Sequence, residues 1–236
     1  RHPFLVDNNR DCIMCAECVK SCDNSSIHLN LRLTPEELWE LNTPRRADSF
    51  LVVALGAIFF PFALHGEFSA IVTQLVDQLP PVFSSVPLSL IKSVFFFGII
   101  ALFQVGYLMM VYLVARYGAI KRKALKPMLG YGFIPLILGC YLAVHFELFM
   151  QDAWRIWPNL LELFGIEVRY VPHRILSADS TAVLQAITVC GGMLASFYAI
   201  YRIMARFKGP NAFSSETLVL PYSFMIFLGG LSLYLI

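Results

Sequence analysis

Charge is scarce in this chain. Of its 236 residues, 14% are Asp, Glu, Lys or Arg and 58% are hydrophobic, whereas a soluble globular domain carries about 25% charged and about 45–50% apolar residues. The shortage excludes an ordinary soluble domain, and a mean hydropathy of +0.66 points to a chain that crosses a bilayer several times. Cysteine is also scarce outside one short stretch: of six, only Cys140 and Cys190 lie beyond residue 22. A disulfide framework spreads its cysteines along a loop-rich chain, so this distribution argues against one. No glycine-rich nucleotide loop is present, because Gly191-Gly192 and Gly229-Gly230 sit within apolar runs. No hydrolase triad is recognisable, no residue is assigned a catalytic role, and nothing points to nucleic acid. The polar, cysteine-bearing start does not read as a signal peptide. Arg1 in place of methionine, and an apolar run reaching Ile236 with no polar flank, read as cut edges of a longer protein.

What the chain does contain is concentrated near its start. Cys12, Cys15, Cys18 and Cys22 follow the spacing C-x2-C-x2-C-x3-C, the bacterial ferredoxin run for a [4Fe–4S] cluster. Close spacing lets one loop wrap three corners of a cube with thiolates. In two-cluster ferredoxins the fourth cysteine ligates the other cluster. Cys12, Cys15 and Cys18 then need a further thiolate from before Arg1 or from a partner chain, since Cys140 and Cys190 lie inside apolar segments. The expectation is two clusters in the full-length protein. Zinc is the rival ligand, but it prefers paired C-x2-C knuckles separated by a longer stretch. Asp23 stands where the ferredoxin run has proline, and an Asx turn can shape the same loop. Clustered thiols also argue for a reducing compartment.

Three regions follow from the pattern. Residues 1–33 read as a small ferredoxin-like α+β segment: Ile27, Leu29 and Leu31 alternate with His28, Asn30 and Arg32, the period of a strand with one buried face. Residues 34–48 read as an interfacial helix and linker. Thr34 caps, Pro35 suits the first helical position and Glu37 completes a capping box. Trp39 is expected at headgroup depth on the membrane surface, with a plain linker helix as the alternative. Residues 49–236 read as an all-α polytopic domain of five transmembrane helices, at about Phe50–Leu64, Leu90–Ala115, Met128–Phe149, Thr181–Met204 and Leu218–Ile236. The first is short against the ~20 apolar residues a span needs and must borrow Ser49 and His65.

Basic residues set the orientation. Arg45 and Arg46 precede the first segment, Arg116 to Lys126 separate the second and third, and Arg202, Arg206 and Lys208 follow the fourth. Between the first and second, Gly66–Ser89 contains no Lys or Arg. The positive-inside rule places the cysteine segment and both basic loops in the cytoplasm. His65 and His145 then fall at the outer ends of two spans that run the same way. They could bind a haem axially, bind another metal with Glu67 and Glu147, or hydrogen-bond a quinone; the plainer expectation is a pair of wet interfacial histidines. A weak internal echo joins Leu55-Gly56-x-x-Phe59-x-Pro61-x-x-Leu64 to Leu129-Gly130-x-x-Phe133-x-Pro135-x-x-Leu138, as in membrane proteins built from repeats.

The stretch Asp11–Trp39, DCIMCAECVKSCDNSSIHLNLRLTPEELW, resembles the second cluster loop of membrane-bound polyferredoxins, 4Fe–4S proteins related to the quinol-dehydrogenase subunit of periplasmic nitrate reduction and to the nitrous-oxide reductase regulator. By position, Cys12, Cys15, Cys18 and Cys22 match the second cysteine run of that family. The resemblance implies a two-cluster cytoplasmic domain fused to a multi-pass anchor in the bacterial inner membrane. It implies redox donor and acceptor proteins as partners, quinone among the candidates, with the surrounding lipid and a larger complex as context. The resulting expectation is an electron-transfer subunit of a membrane oxidoreductase. Its rivals are a redox-sensing regulatory or assembly protein, an energy-coupled transporter, and a packing subunit of a larger redox complex.

Overall fold

The computed structural model of the protein describes residues 17–20, 37–40, 44–64, 67–78, 86–166, 176–207 and 215–235. The strand expected at Ile27–Arg32 lies outside the described residues. Among the described residues the chain is helical. Two short helices, α1 (Glu17–Lys20) and α2 (Glu37–Glu40), precede α3 (Arg46–Ala63), α4 (Glu67–Asp77) and α5 (Leu88–Tyr117). Then come α6 (Arg122–Leu129), a 3₁₀ turn (Gly130–Phe133), α7 (Ile134–Asp152), a second 3₁₀ turn (Ala153–Arg155), α8 (Ile156–Leu163), α9 (Ala178–Ala205) and α10 (Ser215–Leu235).

Five runs are long and apolar enough to cross a membrane: Arg46–Ala63, Leu88–Tyr117, Arg122–Leu163, Ala178–Ala205 and Thr217–Leu235. The first begins a turn earlier than its apolar residues do. Its 18 residues rise about 27 Å, close to the ~30 Å of a hydrocarbon core. Cross-bonds show the helices alternating in direction. Tyr131 pairs with Asp48 at one end of α3 and Tyr141 with Leu55 further along, so α3 and α7 run parallel. Leu136 bonds Ser196 and Ala143 bonds Gln185, so α9 runs against α7. This brings Arg45, Arg46, Arg116, Lys121, Arg122, Lys123, Arg202 and Arg206 to one end of the bundle, here the basic end. Lys92 and Arg155 are the described basic residues toward the far end.

Polarity is inverted relative to a water-soluble fold. Leu51, Val94, Phe97, Leu102, Leu138, Ile187, Leu194, Ile226 and Phe227 stand exposed on the outside of the spans, while Ser49, Thr181, Gln185, Ser196, Thr217 and Ser232 are buried. An apolar surface of that extent is stable against lipid and not against water. The interior hydroxyls and amide find partners: Thr181 donates to the Ser177 carbonyl, Gln185 to Ala143 and Ser232 to Leu228. The protein is a multi-pass membrane protein.

The tightest helix pair is α7 with α9. A Cβ on Gly139 would stand 2.8 Å from the Thr188 carbonyl oxygen, and one on Gly192 would stand 2.6 Å from that of Pro135. Both obstacles are backbone, which cannot swing aside. Lipid supplies no hydrophobic drive between helices, so close backbone approach through small residues is a main source of their attraction.

Candidate functional site

The third run, Arg122–Leu163, is broken near the basic end, which the sequence reading of one span over Met128–Phe149 did not anticipate. Pro135 has no N–H and cannot close a bond back to Tyr131. The Ile134 N–H donates to the Tyr131 carbonyl instead, the i→i−3 bond that tightens a helix to 3₁₀. Gly130, Tyr131, Gly132 and Phe133 are all buried. Carbonyls that lose their usual helical partner at this depth survive only where protein satisfies them, and neighbouring helices do so. Ser49 Oγ donates to the Pro127 carbonyl at 2.5 Å, and Tyr107 Oη to the Lys126 carbonyl at 2.5 Å. Beyond the break, the Leu136 N–H donates to Ser196 Oγ at 2.8 Å. A Cβ on Gly130 would lie 2.5 Å from Ser49 Cβ, so glycine is what lets α3 come this close.

Polar side chains collect around the break. Tyr131 Oη donates to Asp48 Oδ2 at 2.5 Å, and Lys126 Nζ sits 4.3 Å above the centre of the Phe50 ring. Gln104 Nε2 donates to the Phe50 carbonyl at 2.7 Å, while its Oε1 is buried with no partner among the described residues. Helix α2 packs onto the same end. Trp39 is 8% exposed and lies against Ala199 and Ile203 of α9. Its ring meets Tyr198 edge-on at 5.4 Å, Arg202 lies 5.6 Å from the ring centre, and Arg206 donates to the Trp39 carbonyl. The ring is thus enclosed by α9 and its two arginines at the basic end of the bundle.

The residues singled out from sequence fare differently. Cys12, Cys15 and Cys22 lie outside the described residues, as does the side chain of Cys18, whose backbone is part of α1. His65 also lies outside them. His145 sits on the outer surface of α7 toward the far end, exposed, with its ring stacked on Phe62 at 5.7 Å. Its Nδ1 is 2.7 Å from the Tyr141 carbonyl. A carbonyl only accepts, so Nδ1 carries the proton and Nε2 keeps its lone pair free in the neutral ring. Glu147, two positions on, lies about 200° around the helix and bonds Gln151 Nε2 at 2.5 Å. One metal therefore cannot take both His145 and Glu147 from this helix. Among the described residues no three or more His, Cys, Asp or Glu side chains converge on a metal position. Cys140 is buried against Ser232 at 3.3 Å, and Cys190 lies on α9.

The internal echo is not a structural repeat. It needs a separation of 74 positions, whereas α3 and α7 align residues 83 and 86 apart. Pro61 lies near the far end of α3, Pro135 near the basic end of α7.

These features define the chain as a five-span helical membrane protein with a broken third span. Comparison with known protein families, with curated proteins and with solved structures finds no match.

Proposed function

We propose that the chain is a membrane-integral electron-transfer subunit. A [4Fe–4S] segment on the cytoplasmic side relays single electrons to or from an acceptor in the membrane. The observation that carries this reading is the spacing of Cys12, Cys15, Cys18 and Cys22 on the same chain as five spans. The thiolates hold the cluster, the cluster supplies one-electron chemistry, and the protein supplies position. Helix α2, which follows the cysteine run in the chain, is fastened to α9 through Trp39 and Arg206. The basic end supports a cytoplasmic assignment for that side by the positive-inside rule. His145, with Nε2 free, is a far-end contact for a quinone or haem.

The test is elemental and spectroscopic. Purified full-length protein should contain iron and acid-labile sulfide at about four each per cluster, with a paramagnetic signal on reduction. Replacing Cys12, Cys15 and Cys18 by Ser should remove the signal while the protein still inserts. Iron-free native protein, or those cysteines found joined as disulfides, ends the proposal. Absence of a Soret band ends the haem version and leaves quinone.

A further inference from the structure

Helix α8 buries none of its residues. Its large apolar side chains nevertheless form a single stripe: Ile156, Trp157, Leu160 and Leu163 are 56%, 65%, 46% and 82% exposed, and Phe164 beyond them is 74% exposed. The spacing i, i+1, i+4, i+7, i+8 is one face of a helix. The opposite side carries Pro158 and Glu162, Asn159 flanks the stripe, and Asp152 pairs with Arg155 at 3.2 Å just before the helix begins. The stripe also continues a surface that already faces lipid. Leu138, Leu142 and Phe149 of α7 are exposed on the outside of the bundle. The helical run that carries them continues through the Ala153–Arg155 turn into α8.

Register sets the depth. Phe62, next to the last residue of α3, stacks on His145, and Ser177 caps the start of α9 near the same level, since Gln185 meets Ala143. The spans on either side of α7 thus end close to residue 150, and α8 begins only a turn or two beyond. There the chain leaves hydrocarbon, and a stripe of five large apolar side chains has no protein to cover it among the described residues.

We infer that α8 lies in the plane of the far-side membrane interface, with Trp157, Leu160 and Leu163 in the boundary between headgroups and acyl chains. Its partner is the lipid surface itself. Binding here is apolar, because α8 contains no Lys or Arg and holds Glu162. A zwitterionic bilayer suffices, in contrast to basic amphipathic helices that need anionic lipid. The inference rests on the membrane fold alone and stands whether or not the chain carries a cluster.

The experiment follows Trp157 in the full-length protein reconstituted in phosphatidylcholine vesicles. Trp39 and Trp154 are the other tryptophans, so the Trp157 signal is read as wild type minus Trp157→Phe, which leaves the docked Trp39 intact. Phosphatidylcholine brominated near the glycerol end of its acyl chains should quench this signal about twofold more than lipid brominated near the methyl end, with no dependence on added anionic lipid. Quenching by aqueous acrylamide without quenching by brominated lipid would overturn the inference. So would shielding from both quenchers, which would mean that a second copy or another protein covers the stripe. A Trp154→Phe variant analysed by the same subtraction provides the control for the neighbouring ring.

Discussion

The two ends of the bundle are built on different principles. At the basic end, helices are joined by side chains that reach across to backbone: Ser49 to Pro127, Tyr107 to Lys126, Gln104 to Phe50, Arg206 to Trp39. At the far end, contacts between elements are mostly apolar or aromatic, as in Phe62 on His145, with Lys92 to Ser69 at 2.6 Å and Gln185 to the Ala143 carbonyl at 3.0 Å as polar exceptions. The difference follows from the broken third span. An unbroken helix satisfies its own carbonyls and asks little of its neighbours; a helix interrupted by Pro135 and flanking glycines leaves groups that lipid cannot satisfy. Neighbours at the basic end take on that task and become locked in register by it.

That contrast can be broken or sharpened by substitution, with unfolding in detergent as the measurement. The largest effect belongs to neither end but to the middle, where α7 and α9 touch. Gly192→Val should destabilise by about 3 kcal/mol or more, because the obstacles are the Pro135 carbonyl and the Cα atoms of Gly139 and Leu136. Gly230→Ala, with nothing within 4 Å of the new methyl group, should change little. Equal effects at the two glycines would mean that the close approach of α7 and α9 is not what holds them together.

At the basic end, Ser49→Ala and Tyr107→Phe should each cost about 1 kcal/mol, since each leaves a carbonyl beside the break with one partner fewer. The two carbonyls are adjacent in the chain, so the double variant should depart from additivity. At the far end, Lys92→Met should cost about 0.5 kcal/mol or less, because the bond it removes joins α4 to α5 at a half-buried site. A larger loss from Lys92 than from Tyr107 would reverse the comparison.

Much of the plan was legible in residue order. Five spans were readable because runs of that length and apolarity have few other stable homes. Their boundaries were less so. The first span starts at Arg46 rather than near Phe50, since Asp48 and Ser49 find partners on the third span, and no local pattern announces a partner some eighty residues away. Trp39 was read at headgroup depth, and its packing on α9 was invisible in the sequence for the same reason. The break did leave a trace, Pro127 and Pro135 bracketing Gly130-Tyr131-Gly132, which hydropathy alone overlooks. The echo between Leu55–Leu64 and Leu129–Leu138 misled because motif similarity carries no information about depth, and the cross-bonds between α3 and α7 set a different register.

Residue order by itself determined that this protein lives in a bilayer and how many times it crosses, because both depend on composition and on neighbours close in the chain. Only the tertiary structure decided which carbonyls are bonded from other helices and which glycines let backbones touch. Those are properties of pairs far apart in sequence, and they exist only once the helices have chosen their register.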